Sequence, residues 1–389
     1  MNKPKIALFE SYYQLFHGNS RYLTLLAQGL GKSGFKVVLC TAGEGLLADR
    51  ARQDGHEVVV LPYPPALDRF GRDLVANSLL RRIKAFFGLV RYNAQWFREV
   101  RLRQYEVVHC TSIRSLFSVG IGARLAGASV TWVIQMEYSI PFIDTLGLLL
   151  AHRIIFIAPR LRLTKNQLVL RLVEPKVRVV PFGVDLDKQI PDRSVCRDGL
   201  GLKEETFVIG TAASIVPNKG IHILIEGVAR LVKKGINLKC IIVGGVPEYA
   251  QSYKEELRDA VEKEGISDVV EFLGWRSDCS EILRALDLFV LPSLSEGLSR
   301  ATVEAMWMAC PVVAADTGAM ADLIDDSVGR LVPKNDTDAM VLAIESLATN
   351  MDLARTLGRA GRSKVLGQFT LDLHFQRMEN LFLELSGSR

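Results

Sequence analysis

Short β-branched runs alternate with longer amphipathic segments along the whole chain. In the first half, Ile6–Phe9, Lys36–Cys40, Glu57–Leu61, Val107–His109, Thr131–Ile134 and Ile154–Ile157 read as strands. In the second half Val208–Gly210, Lys239–Val243, Val269–Leu273, Leu288–Leu291 and Val312–Ala314 do the same. Helical spacing fills most intervals, as in Arg21–Ser33 and His222–Lys234. This alternation predicts parallel α/β units. Purely apolar runs such as Cys240-Ile241-Ile242-Val243 suit strands covered on both faces.

The two halves open alike, each with a strand, a glycine-bearing loop and a helix. His17-Gly18-Asn19 is the loop of the first and Asn218-Lys219-Gly220 that of the second. A chain of 389 residues exceeds what one ordinary core serves. Two domains are therefore expected, 1–184 and 185–370, with the boundary near Pro181-Phe182-Gly183-Val184-Asp185. The polar stretch from Lys188 to Asp198 reads as a linker with some helix. Leu371 to Leu385 reads as a final helix with no strand after it.

Composition narrows the class. With 49% hydrophobic and 23% charged residues the chain is globular and carries no disorder signature. Six cysteines without a CxxC pair read as reduced packing residues of a cytosolic chain, and no zinc site is expected. The start runs directly into Lys5–Phe9, so no leader peptide is expected. The most apolar region, Ile140 to Leu163, is interrupted by Asp144, His152 and Arg153. It falls short of the ~18–20 uninterrupted residues that cross a bilayer. The formal charge of +5 is unevenly spread: Arg69 to Arg103 holds nine basic and two acidic residues, leaving the remainder slightly acidic.

Candidate chemistry concentrates in LPSLSEGLSRATVEAMWMACPVVAAD, Leu291 to Asp316. A strand ending at Leu291 would feed a polar loop holding Glu296, then a helix from about Ser299 with Glu304 one turn in. Ligands of open parallel sheets bind at the carboxyl ends of strands. A helix start offers amide hydrogens and a positive dipole end to a phosphate. Lys219 would bring a cation to the same place. Taken singly, each glutamate also fits a solvated first-turn charge.

The PS-x-x-EG…EAM…PVVA frame, with its two glutamates, resembles glycosyltransferase family 4. Further matches follow in order: VVHC at Val107–Cys110, VPFGVD at Val180–Asp185, VPNKG at Val216–Gly220, VGG at Val243–Gly245, FLGW at Phe272–Trp275 and VGRLVP at Val328–Pro333. The resemblance implies the GT-B fold, two Rossmann-like domains facing across a cleft, with the acceptor in the first and a nucleotide-sugar in the second. It also implies that the final helix, 371–389, packs back on the first domain. The implied activity is metal-independent, retaining transfer of a sugar from a nucleotide-diphospho-sugar to a hydroxyl of a glycan or lipid-linked acceptor. Cell-surface polysaccharide or glycolipid synthesis is the implied setting.

The same resemblance assigns roles. Glu296 would contact the transferred sugar and stabilise its developing positive charge, and Lys219 would neutralise the leaving diphosphate. Glu304 would accept from the ribose hydroxyls. Amides of Gly297, Leu298 and Ser299 would hold sugar and phosphate, Gly18 would allow close approach to the diphosphate, and Trp275 would lie near the base. A leaving diphosphate needs neutralisation that lysine, amides and helix ends can supply, and no DxD-like cluster stands out as a metal seat. No cofactor is expected.

Departures from the family pattern are visible. Ser214 stands where the family usually has an arginine, and a hydroxyl cannot replace a guanidinium fork; Arg300 or Arg276 would have to compensate. The loop glycine after Gly297-Leu298 is Ser299. Where a histidine is common, Gln135-Met136-Glu137 follows the strand, and Glu137 is either an acceptor-side base or a strand-end charge. His109 and His17 are each either acceptor-side or packing residues. These departures leave open a catalytically impaired binding or scaffold protein, and a GT-B epimerase or phosphorylase fits less well.

The basic stretch 69–103 carries Leu79, Ile83, Phe86, Val90, Ala94 and Phe97 at helical spacing, extended by Phe87, Leu89 and Trp96. Two readings stay open: a core helix with a solvated basic face, or a surface that meets an anionic membrane. No nucleic-acid module accompanies it. A cytoplasmic protein, peripheral at the inner face of the membrane, is the expectation.

Overall fold

The computed structural model describes residues 3–14, 18–68, 79–185 and 191–387. The chain divides into two compact units, Met1–Phe182 with Asp372–Arg389, and Gly183–Leu371.

The first unit is built on seven parallel strands: β1 (Lys5–Glu10), β2 (Lys36–Thr41), β3 (Glu57–Val60), β4 (Val107–Cys110), β5 (Ser129–Ile134), β6 (Arg153–Phe156) and β7 (Val177–Val179). They lie in the order β3-β2-β1-β4-β5-β6-β7. The second unit has six: β8 (Phe207–Ala212), β9 (Leu238–Val243), β10 (Val270–Gly274), β11 (Leu288–Leu291), β12 (Val312–Ala315) and β13 (Gly329–Val332), ordered β10-β9-β8-β11-β12-β13. Counted within each unit, both sheets follow the 3-2-1-4-5-6 order of the doubly wound fold, and the first adds a seventh strand. The order reverses beside β1 in one sheet and beside β8 in the other, which fixes where each has its crevice. β7 and β13 escaped the sequence reading. β7 is only Val-Arg-Val and β13 opens on glycine, so neither has an apolar run long enough to stand out.

Both sheets are covered on two sides, as their apolar strands require. In the second unit Ile209, Cys240, Ile242, Leu288 and Val290 pack beneath Leu224, Ile225 and Val228 of the Ile221–Lys233 helix. In the first unit the final helix, Leu371–Gly387, lies against the core through His374, whose Nδ1 is 2.7 Å from the Pro181 carbonyl, and Phe382. Phe382 meets the edge of His109 at 5.6 Å between ring centres. His109 is fully buried, with Nδ1 2.8 Å from Thr131 Oγ1. No face of the ring reaches the surface.

The Leu79–Arg103 helix inverts the simple reading of its apolar stripe. Tyr92, Trp96 and Val100 are the buried face, with Phe9 and Trp96 rings 5.1 Å apart and Tyr92 Oη donating to the Leu61 carbonyl at 2.7 Å. Ile83, Phe86, Phe87, Val90 and Phe97 are exposed. The helix therefore packs on the core with its basic residues Lys84, Arg91 and Arg98 outside, but through Tyr92, Trp96 and Val100 rather than the Ile83-Phe86-Val90-Phe97 stripe, with Asn93 buried beside them. Residues 69–78, the start of the basic stretch, lie outside the described residues.

Two expectations follow. Trp96→Ala should destabilise the protein by about 3–5 kcal/mol, whereas Phe86→Ser should stay within about 0.5 kcal/mol; denaturant melts of both variants check this. Burial lowers the His109 pKa from the ordinary 6.5 to about 3. A depressed histidine is neutral in the folded state but takes up a proton when unfolded. Its stabilising effect is thus complete above pH 6.5 and is lost as pH falls toward 3. His109→Asn should remove up to one proton from the acid limb of the stability–pH curve, measured by urea unfolding across that range.

Candidate active site

The candidate site is built on three strand-to-helix connections of the second unit, after β8, β11 and β12. β8 and β11 are the neighbours at which that sheet reverses. After β11 the chain turns at Pro292 and runs through Glu296 to Ser299, which caps the Arg300–Trp307 helix by accepting from the Thr302 N–H at 3.3 Å. Asp, Ser and Thr caps of this kind fix the entry of a helix, and the capped start holds Gly297, Leu298 and Ser299 buried.

Two glycines clamp this loop from either side. Gly220 adopts φ +64, and a Cβ there would stand 2.0 Å from the Pro292 carbonyl oxygen. Beside it the Leu294 N–H donates to the Asn218 carbonyl at 2.8 Å. Gly318 adopts φ +55, and a Cβ would fall 2.0 Å from the Glu296 carbonyl oxygen, while Ala319 N–H donates to Gly297 O at 2.8 Å. Both positions combine a left-handed backbone with contact too close for any side chain.

Held in this way, Glu296 is buried, with its side chain 9% exposed, and its carboxylate meets two partners. Lys219 Nζ donates to its Oε1 at 2.6 Å and Ser293 Oγ to the same oxygen at 2.9 Å. The Lys219 side chain is 21% exposed. A half-buried ammonium beside a buried carboxylate is a pair that an entering anion can redistribute, because solvent screens it weakly. Ser293 carries no role in the sequence reading, yet it sits in the same PS-x-x-EG frame and was available there as a third polar group.

The remaining predicted residues fall as follows. Glu304 is half-buried, one turn into the Arg300–Trp307 helix, and Arg300 opens that helix. Ser214 is exposed in the loop after β8. Trp275 is exposed just beyond β10, its Cβ within 3.7 Å of where a Gly245 side chain would begin. Arg276 forks onto Asp278, with Nε to Oδ1 at 2.8 Å, which gives its guanidinium a standing partner. In the first unit Gly18 starts the Gly18–Lys32 helix, and His17 lies outside the described residues. Glu137 is half-buried in the loop after β5.

Two polar groups of the first unit went unread. Glu10 ends β1 at that sheet's reversal point, fully buried, and accepts from Thr111 Oγ1 at 2.8 Å and the Tyr12 N–H at 2.9 Å. Lys165 and Asp144 form a buried ion pair at 2.7 Å that also ties down the β5 loop through the Tyr138 carbonyl and Ser139 hydroxyl. A lone aspartate inside an apolar run was the available signal for the second. Among the described residues no group of three His, Cys, Asp or Glu side chains is placed to hold a metal ion.

A doubly wound unit whose reversal point carries a carboxylate–ammonium pair beside a capped helix start has the makings of an anion-binding α/β crevice. Comparison with known proteins places the chain more closely. Residues 17–182 match the glycosyl transferase 4-like domain, and residues 192–364 match glycosyl transferases group 1. The chain belongs to the GT-B glycosyltransferases of the family 4 type.

Among its relatives, the UDP-Gal:alpha-D-GlcNAc-diphosphoundecaprenol alpha-1,3-galactosyltransferase of Escherichia coli is 25% identical over 79% of this chain and 81% of its own length. The capsular polysaccharide biosynthesis glycosyltransferase CapM of Staphylococcus aureus is 27% identical over 54% of this chain and 56% of its own. The match thus spans about half the length of the first curated relatives. Two solved structures share the fold across nearly the whole of both chains. Anabaena Alr3699/HepE in complex with UDP and glucose has a TM-score of 0.78 at 20% identity, covering 97% of this chain and 99% of its own. A glycosyltransferase from Rickettsia africae has 0.82 at 16%, covering 99% of each.

Gly318→Ala should displace the Glu296 loop and lower stability by about 1–3 kcal/mol or more. The same change at Gly245, where a Cβ meets nothing closer than 3.7 Å, should cost far less; paired thermal melts make the comparison.

Proposed function

We propose that this chain is a retaining glycosyltransferase that moves a sugar from a nucleotide-diphospho-sugar to a hydroxyl of a glycan or lipid-linked acceptor. The setting is cell-surface polysaccharide or glycolipid synthesis, in the cytoplasm at the inner face of the membrane. The observation that carries this reading is the Lys219–Glu296–Ser293 cluster, seated where the second sheet reverses. The relatives support its direction: one is named for a galactosyl transfer to a diphosphoundecaprenol-linked sugar and another for capsular polysaccharide synthesis. Among the described residues no helix is long and apolar enough to cross a membrane.

In this reading the donor diphosphate draws Lys219 away from Glu296. The ammonium then balances the charge that grows on the leaving phosphate, and the start of the Arg300–Trp307 helix adds its amide hydrogens. Glu296, released from Lys219, faces the sugar and stabilises the positive charge that develops as the nucleotide departs. Glu304 takes the ribose hydroxyls and Trp275 covers the base. Ser214 contributes only a hydroxyl to the phosphates, so the cationic share falls on Lys219 and Arg300. Arg276 must leave Asp278 to join them. The leaving phosphate takes the acceptor proton on the face it vacates, which retains configuration. Gly18 and Glu137 serve from the first unit, which receives the acceptor. Neutralisation by lysine and amides calls for no metal.

The test is release of nucleotide from a panel of UDP-, GDP- and ADP-sugars with a membrane extract as acceptor source. Wild type should turn over one of them, and EDTA should leave the rate unchanged. Lys219→Ala and Glu296→Gln should each lower kcat by about 10²-fold or more, with Lys219→Ala also weakening donor binding. Turnover by Glu296→Gln at the wild-type rate would sink the assignment. Donor binding without turnover in wild type would favour a scaffold.

A further inference from the structure

No step of the proposed transfer uses the exposed face of the Leu79–Arg103 helix, and its side chains are unusual for a surface. Phe86 and Phe87 are 62% and 65% exposed, Val90 52% and Ile83 45%. A chain that merely tolerated scattered apolar residues would not place them on one stripe; contiguous exposed apolar surface marks an interaction site. With 3.6 residues per turn, the stripe Ile83-Phe86-Val90-Phe97 lies roughly a third of a turn from the Tyr92-Trp96-Val100 core face.

The helix cannot roll to bury it. Asn93 Nδ2 donates to the Phe117 carbonyl at 3.0 Å, and its Oδ1 accepts from the Gly122 N–H at 2.9 Å. The backbones there touch: a Cβ on Gly122 would lie 2.0 Å from the Asn93 carbonyl oxygen. The neighbouring Ile113–Leu125 helix also exposes Ile121 and Leu125.

Charge identifies the occupant. Seven basic residues and one acidic residue lie in Leu79–Arg103. The acidic one, Glu99, is paired with Arg103. Exposed Lys84, Arg91 and Arg98 follow the outer edge of the apolar stripe. Where the stripe ends, a groove of about 650 Å³ is lined by Leu61, Phe97, Arg98, Arg101 and Leu102 together with Glu99, and the Arg101 guanidinium lies 5.9 Å over the Phe97 ring. An apolar band edged by cations matches an interfacial helix, whose side chains enter the acyl boundary while its cations meet phosphate headgroups. A two-fold contact with a second copy would instead set the basic edge against itself.

We infer that the outer face of the Leu79–Arg103 helix docks on an anionic lipid surface, with Phe86, Phe87 and Val90 inserted and Lys84, Arg91 and Arg98 on the headgroups. This deepens the peripheral-membrane part of the proposed function, yet its test needs no sugar transfer. Full-length protein is co-sedimented with phosphatidylcholine vesicles, with or without phosphatidylglycerol. Wild type should bind the anionic vesicles at least tenfold more strongly, with binding that weakens as salt rises. Phe86→Ser/Phe87→Ser should lose at least tenfold at an unchanged melting temperature. Arg91→Gln/Arg98→Gln should lose binding and flatten the salt dependence even if the first variant folds poorly. Glu296→Gln should bind like wild type, which separates this surface from the transfer site. Equal binding to both vesicles, or wild-type binding by both double variants, would overturn the inference. So would a wild-type dimer in light scattering that Phe86→Ser/Phe87→Ser dissolves, with no vesicle binding.

Discussion

An ammonium group and a carboxylate 2.6 Å apart, the first half-buried and the second buried, must be held together by the structure that surrounds them. Desolvating both charges is costly, and their attraction repays it only when the geometry is good and other polar groups assist. Here Ser293 assists, and the loop that bears Glu296 is fixed by backbone contact at Gly220 and Gly318. Everything proposed about donor binding depends on that constraint. It keeps a cation and an anion at the reversal point of the second sheet before any ligand arrives, where a diphosphate can displace one of them.

The two units use the same sheet order for different local solutions. At the reversal point of the second, the charged pair is only partly covered. At that of the first, Glu10 is fully buried and satisfied by Thr111 and the loop backbone, so it organises the crevice rather than presenting charge to it. The Lys165–Asp144 pair does similar work for the β5 loop that carries Glu137. Breaking such a buried pair by removing one partner costs about 3–5 kcal/mol, which is why loops built on them hold their shape.

The Leu79–Arg103 helix shows how packing decides between two apolar faces. Both faces satisfy the 3.6-residue period, so periodicity alone cannot choose. Trp96 and Tyr92 gain aromatic contacts with Phe9 and Tyr63, and Asn93 needs buried carbonyl and amide partners. Those requirements outweigh burial of Phe86 and Phe87, which are left outside beside a row of cations.

The chain's own pattern was enough for parallel α/β units and most of their strands, and its short motifs for the neighbourhood of Lys219 and Glu296. These are encoded locally, in strand runs, helical spacing and short motifs. The pairing of Lys219 with Glu296 bridges 77 residues, and the return of the final helix onto His109 and Pro181 bridges most of the molecule. Ser293 as a second donor, the burial of His109 and Glu10, and the outward face of the basic helix belong to the same group. They were settled only in three dimensions, because each depends on which distant surface competes for the same side chain.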